Sequence, residues 1–257
     1  MNNEIQKKGV LGVILARGGS KSIYKKSIAP CAGKPLLTYT IEAAQHAKSL
    51  DRVIISTDDE EIAELARSQG VEVLFMRPKE LAEDSTPDLP VFEHALNWLL
   101  EHEGQLPEMV VHLRPTTPLK ASADIDEGVR LMRENPEASS VRSVCAPLHT
   151  PFKMFRLDNG AKYLRPILKK EYPELFEKYG EPYNLPRQLL PEIWRHSGYV
   201  DVIRPETILN ENSMSGSRII PLFFDTWRDI DIDSQKDLNY AGTIIEDVRN
   251  KGIEPWQ

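Results

Sequence analysis

Between residues 11 and 34 the chain reads LGVILARGGSKSIYKKSIAPCAGK, an apolar run followed by a loop with Arg17, Lys21, Lys25, Lys26 and Lys34 and no acidic residue. The formal net charge of the whole chain is −7, so this cluster of cations is a local feature. Its chemistry is that of a polyanion cradle: the side chains supply charge, while Gly18-Gly19-Ser20 can turn sharply and offer backbone N–H groups. A phosphate chain is the ligand that fits. Gly33-Lys34 is followed by Pro35, which rules out G-x-x-x-x-G-K-[ST], and G-x-G-x-x-G is absent as well. The loop is therefore neither an ordinary P-loop nor a dinucleotide fingerprint.

The acidic counterpart is Asp229-Ile230-Asp231-Ile232-Asp233. At period two the carboxylates project to one side and the isoleucines to the other. Ser234-x-x-Asp237 reads as a capping box that starts the last helix and holds Asp233 at a strand-to-helix corner. Rigid, close carboxylates suit a hard cation, and Mg²⁺ takes one or two of them together with substrate phosphates and water. Asp231 and Asp233 are the candidate ligands. A basic cradle beside such a pair implies phosphoryl or nucleotidyl transfer, in which the protein positions groups and neutralises charge. No Ser-His-Asp or Cys-His arrangement stands out, and the histidines at 46, 94, 102, 112, 149 and 196 are scattered and read as structural.

These groups must be positioned by the elements between them. Residues 10–16 form a short β-branched run suited to a buried strand, 35–47 have helical spacing, and 52–57 again read as a strand. The alternation continues with a helix over 60–69, a strand over 71–75 (VEVLF), a helix over 89–103, a strand over 109–113 and a helix over 123–134. Such a pattern predicts an α/β fold with a mostly parallel, doubly wound, Rossmann-like sheet, whose ligands lie beyond the carboxyl ends of the strands. The polar clusters fall at those ends: 16–26, Ser56-Thr57-Asp58, Arg77-Pro78 and Arg114-Pro115-Thr116-Thr117-Pro118. Residues 147–195 are rich in proline, aromatics and charge without clean periodicity. They read as an excursion from a single domain over 1–257, serving as an oligomer contact or a substrate lid. A strand over 198–203 and a helix over 234–251 close the chain.

With 40% hydrophobic and 28% charged residues, the composition is that of an ordinary globular protein with room for a large core. The N-terminal apolar run is interrupted by Arg17 and lacks a small-residue cleavage site, so no secretory signal is expected and a cytoplasmic location is. Cys31 and Cys145 match no metal or redox spacing and read as small buried residues. No membrane or nucleic-acid partner is expected from an acidic chain without a long apolar stretch.

On these residues the chain resembles the CMP-sialic acid synthetase (acylneuraminate cytidylyltransferase) family over nearly its whole length. The opening pattern A-R-x-x-S-K-x-x-x-x-K-[NS] is met by Ala16, Arg17, Ser20, Lys21, Lys26 and Ser27, and G-K-P by Gly33, Lys34 and Pro35. R-P-x-x-L-A-x-D is met by Arg77, Pro78, Leu81, Ala82 and Asp84, and P-T-[ST]-P-L-[RK] by residues 115–120. R-Q-x-L-P is met by Arg187, Gln188, Leu190 and Pro191, and D-I-D-[ST]-x-x-D-L by Asp231, Ile232, Asp233, Ser234, Asp237 and Leu238.

The resemblance implies a nucleotidyltransferase-type fold and attack of the anomeric hydroxyl of an α-keto sugar acid on the α-phosphorus of CTP, releasing pyrophosphate. It implies that Arg17 and Lys26 neutralise the triphosphate and that Asp231 and Asp233 hold Mg²⁺. The nucleotide-contacting positions it implies are Ala16, Arg17, Gly18, Ser20, Lys21, Lys26, Ser27, Arg77, Asp84 and Thr86. Arg114, Thr116, Lys153, Arg187, Ser197 and Gly198 would face the sugar acid, and the expected assembly is a homodimer. Three departures bear on the substrate. Arg114 replaces the usual glutamine, His196-Ser197-Gly198 replaces P-N-G, and Ser22 and Tyr24 replace a glycine and a proline. A cation at 114 suggests an acceptor with more negative charge. The alternatives are a nucleotidyltransferase for another acidic sugar or a sugar phosphate, with another nucleotide such as GTP, or a catalytically silent nucleotide-binding scaffold.

Overall fold

The computed structural model describes residues 6–257, which divide into two compact units: residues up to 144 together with 196–257, and residues 145–195. The first unit is built on a six-stranded sheet. In chain order it contains β1 (Val10–Leu15), α1 (Leu36–His46), β2 (Arg52–Ser56), α2 (Glu60–Ser68), α3 (Asp88–Glu103), β3 (Met109–Leu113), α4 (Ser122–Glu134) and β4 (Ser140–Cys145). After residues 145–195 come β5 (Arg195–Ile203), α5 (Pro205–Leu209), β6 (Ile219–Phe223) and α6 (Gln235–Asn250). The strand order is β6-β4-β5-β3-β1-β2. β1 runs parallel to β2 and β3, and β6 parallel to β4, whereas β5 is antiparallel to β3 with Asp201 opposite His112.

Strand periodicity explains burial on both faces. Alternate residues of β1 and β3 separate into two cores: Val10, Ile14, Val111 and Leu113 pack with α1 and α4 residues such as Leu37, Ile41, Ile125 and Val129, and Leu11, Val13 and Val110 pack with Phe92, Leu96 and Leu99 of α3. That is the doubly wound arrangement expected of a mostly parallel sheet.

Four local features differ from the sequence reading or go beyond it. Residues 71–75 form no strand of the sheet, and only isolated bridges at Glu72 and Met76 touch the β2 edge. There Val73 packs on one core while Leu74 and Phe75 pack on the other, which takes the chain out of register. Second, 140–145 is a strand, its serines buried within the sheet. Third, 219–223 is also a strand, and it tolerates Pro221 because β6 lies at the sheet edge. Fourth, 229–233 keep the expected alternation, with Ile230 and Ile232 buried and Asp231 and Asp233 exposed, but as irregular chain. The two isoleucines enter a third core with Leu36, Tyr39, Leu238 and Ala241, between α1 and α6.

The start of α6 is a complete capping box, with Ser234 Oγ accepting from Asp237 N–H and the Asp237 carboxylate accepting from Ser234 N–H at 2.8 Å. Ser234→Ala is expected to cost about 1 kcal/mol, lowering Tm by about 2–4 °C in a protein of this size. Thermal unfolding by circular dichroism measures it, and an unchanged Tm would mean that the cap does not stabilise the helix.

The second unit, residues 145–195, contains the short helix Pro173–Tyr179 and a two-stranded ribbon of Phe155–Arg156 and Arg165–Pro166. Leu148, Leu157, Tyr163 and Leu164 are exposed there. Both cysteines are buried and unbridged. Among the described residues no helix is long and apolar enough to cross a membrane.

Candidate active site

The first unit opens a cleft of about 230 Å³ at the carboxyl ends of β1 and β3. Of the residues anticipated from sequence, Arg17, Ser20, Lys26, Ser27, Arg77, Thr86, Arg114 and Thr116 line it. The loop after β1 is shaped by the acidic pair that follows β2. Asp58 Oδ1 accepts from Gly18 N–H at 2.9 Å, while Asp59 caps α2 by accepting from Glu61 and Ile62 N–H. A Cβ on Gly18 would lie 2.6 Å from the Asp59 carboxylate, so glycine is needed there for close approach.

The five cations that are contiguous in sequence are each paired in three dimensions. Lys25 lies 3.1 Å from Asp59 and 2.7 Å from Glu61, and Lys34 pairs with Glu42. Arg17 and Lys21 share Asp84, and hydrogen bonds from Lys21 and Arg17 hold the Asp84 carboxyl below its ordinary range. Lys26 turns the other way. Its Nζ donates to Ile232 O at 2.6 Å and lies 3.5 Å from Asp233 Oδ1. Ile232 N–H in turn donates to Thr116 O at 2.9 Å. The acidic strip is thus fastened to the cleft edge from two sides, which presents Asp231 and Asp233 to solvent beside the cationic wall.

Arg77 also lines the cleft. Its Nε donates to Ser56 Oγ at 3.0 Å and its Nη2 to Ser56 O, and burial pushes its pKa down to about 10. Arg114 occupies the floor. Nη1 donates to Asp201 Oδ2 at 2.8 Å and to Gly198 O at 3.1 Å, and Nη2 donates to Asp88 Oδ2 at 3.2 Å. Two carboxylates therefore offset this cation within the structure.

Two other anticipated side chains are buried. Ala16 is buried, with its N–H on Ser56 O. Ser197 is buried too, its hydroxyl bonded to Ser143 Oγ at 3.0 Å and accepting from Tyr199 N–H. Gly198 acts through its carbonyl and through the space it leaves, since a Cβ there would lie 3.3 Å from Arg114 Nη1. Lys153 and Arg187 belong to the second unit, in the turns Pro151–Lys153 and Arg187–Leu189.

Sequence reasoning missed several cleft groups. Asp88 and His112 line the floor, and His112 is buried with neither ring nitrogen hydrogen-bonded among the described residues. Burial, reinforced by the Arg114 charge, holds its pKa well below the ordinary value. The loop that presents Arg114 and Thr116 is clamped from beneath by Lys120, whose fully buried Nζ donates to Thr117 O at 2.8 Å, Arg114 O at 3.2 Å and Thr117 Oγ1. Burial pushes this lysine down to about 7. The period-two pattern of Met109–Leu113, which places His112 on the same face as Val110 toward α3, was the available signal for His112.

Fold and cleft together define a doubly wound α/β protein whose cation-lined cleft has a carboxylate strip fastened at its edge. Comparison with known proteins narrows the class: residues 11–240 match the family model described as cytidylyltransferase, and the chain belongs to that family. It is 28% identical over 248 residues to N-acylneuraminate cytidylyltransferase of Escherichia coli, covering 96% of this chain and 55% of that protein. The chain thus spans about half the length of that relative. With CMP-N,N'-diacetyllegionaminic acid synthase of Campylobacter jejuni it shares 28% identity over 236 residues, covering 92% of this chain and 94% of the relative. Among solved structures, a CMP:2-keto-3-deoxy-manno-octonic acid synthetase complexed with CTP superposes with a TM-score of 0.65 at 16% identity, covering 93% of this chain and 99% of the other. At that identity the likeness is one of fold.

Proposed function

We propose that the protein transfers the cytidylyl group of CTP to a nonulosonic acid, an acidic α-keto sugar, giving a CMP-sugar and pyrophosphate. The observation that carries this reading is one cleft lined by Arg17, Lys26 and Arg77, with the Asp231–Asp233 strip fastened to its lining residues Lys26 and Thr116, in a chain of the cytidylyltransferase family. The sugar class follows relatives that act, by their names, on neuraminic and legionaminic acids.

In this reading the anomeric oxygen attacks the α-phosphorus, the bond from that phosphorus to the bridging oxygen breaks, and pyrophosphate leaves with the bond's electron pair. The hydroxyl proton passes to solvent. Arg17 and Lys26 neutralise the charge moving onto the leaving group. Ala16, Gly18, Ser20, Lys21, Ser27, Arg77, Asp84 and Thr86 surround the nucleotide, with Asp84 releasing Arg17 and Lys21 to the phosphates. Arg114, Thr116 and Gly198 face the acceptor, together with the backbone at Ser197. Among the described residues no three acidic, histidine or cysteine groups cluster into a protein-only metal cage. Two exposed carboxylates beside a phosphate site do fit Mg²⁺, which needs few protein ligands when phosphates supply the rest. Asp231 and Asp233 would hold it, and it would supply charge neutralisation on the phosphates.

The exposed apolar residues of the second unit support a homodimer, and use of a soluble nucleotide supports a cytoplasmic site of action. The test is pyrophosphate release with Mg²⁺, crossing CTP and GTP against eight- and nine-carbon α-keto sugar acids and a sugar phosphate. Turnover with CTP and a nine-carbon acid is expected. Turnover only with the sugar phosphate, or only with GTP, would replace this reading.

A further inference from the structure

Asp201 is fully buried on β5, yet three basic side chains converge on it. Its Oδ2 accepts from Arg114 Nη1 at 2.8 Å and Arg142 Nη1 at 2.7 Å, and Oδ1 lies 2.9 Å from His196 Nε2. Burial alone would raise this carboxyl. The His196 hydrogen bond and the charges of Arg114 and Arg142 instead hold it far below the ordinary range, so it is an anion. A buried anion is costly unless every lone pair is used, and such a group fixes the geometry of its partners more tightly than a surface pair does.

The partner that reaches the cleft is Arg114. Of its five guanidinium N–H groups, both on Nη1 are committed, to Asp201 and Gly198 O, and one on Nη2 is committed to Asp88. The N–H on Nε and the second on Nη2 have no partner among the described residues. Two free donors on a guanidinium locked from behind make a preset acceptor-binding edge, matched to a pair of oxygens such as a carboxylate or neighbouring hydroxyls. His196 and Arg114, two of the positions at which the sequence departs from the family pattern, thus meet on one carboxylate that no motif contains.

We propose that Asp201 is a positioning residue for acceptor selection: with Arg142 and His196 it locks Arg114 so that the remaining donors of the guanidinium receive oxygen atoms of the acidic sugar. This rests on the reading that Arg114 faces the acceptor. Loss of the lock lets the side chain wander by an ångström or so, which is enough to weaken positioning severely.

The test is a double-variant cycle of Arg114→Gln, Asp201→Asn and the combination, measuring KM for acceptor and for CTP separately in pyrophosphate release. Arg114→Gln and Asp201→Asn are each expected to raise acceptor KM about tenfold or more, with CTP KM within about twofold. The double variant is expected to match Arg114→Gln alone, because Asp201 acts through Arg114. If the two effects multiply, Asp201 acts independently and the positioning role is overturned while the acceptor reading stands. If Arg114→Gln raises CTP KM and leaves acceptor KM alone, the acceptor reading itself fails. Should Asp201→Asn not fold, His196→Gln serves, since this partner is partly exposed. A roughly threefold rise in acceptor KM is expected, vanishing in the Arg114→Gln background; no rise, or a rise that persists there, overturns the proposal.

Discussion

Lys26→Met is expected to lower kcat by about 100-fold or more while leaving the fold intact. Removal of one preorganised charge-stabilising donor costs on the order of 3 kcal/mol at a transition state where charge moves to the leaving group. Lys26 is well placed to show this loss. Its ammonium lies within the cleft wall and is held by Ile232 O and the Asp233 carboxylate, so it is set before the nucleotide arrives. Methionine keeps the length and apolar stem of the side chain; it gives up the hydrogen bond to Ile232 O and one weak pair with Asp233, which is 82% exposed, while Ile232 N–H keeps its bond to Thr116 O. Steady-state pyrophosphate release and a thermal melt of the same preparation settle it. A kcat within threefold of the parent, with an unchanged Tm, would remove Lys26 from the reaction.

The second large effect is expected of Asp231→Asn. The substitution keeps the shape of the strip but removes one of two carboxylates that would share Mg²⁺ with the phosphates. We expect turnover at saturating CTP to fall about 100-fold and the Mg²⁺ concentration giving half-maximal rate to rise at least tenfold, because affinity at such sites follows the number of charged oxygen ligands. The strip itself should be undisturbed, since Ile230 and Ile232 keep their places in the third core and Ser234 its cap. A variant that loses rate with no change in Mg²⁺ dependence would show that Asp231 acts other than through the metal.

Much of this site could be read from sequence because its chemistry sits in short segments that follow strands. Arg17, Lys26, Arg77 and Thr116 occupy loops whose composition has no role in a core, and the wide alternation of apolar runs located the strands that carry them. The isoleucines of the acidic strip announced their burial by period, although the strip itself bonds to Thr116 O and not into a ladder. What escaped was created by distance along the chain. The cations at 17, 21 and 25 were unpaired in sequence but find their carboxylates at 84, 59 and 61. Asp201 lies between two valines in a buried strand, where a carboxylate gives no local sign of purpose. Its partners at 114 and 142 reach it only after β5 has inserted antiparallel beside β3. The strand missed at 140–145 failed for a related reason: serines satisfied inside a sheet look like loop residues until their neighbours are known.

Under the proposed function, the pairing of Arg17 and Lys21 with Asp84 governs how a nucleotide would enter. The loop carries its own anion at rest, so capture of a polyphosphate is an exchange of one anion for another and not the filling of a bare positive well. Ionic strength weakens the outgoing pair and the incoming one together. At the salt of a living cell the Debye length is about 8 Å, and the net salt dependence of such an exchange is shallower than free lysines would give. In the proposed reaction Asp84 thus holds Arg17 and Lys21 in place until the phosphates take over its two oxygen contacts.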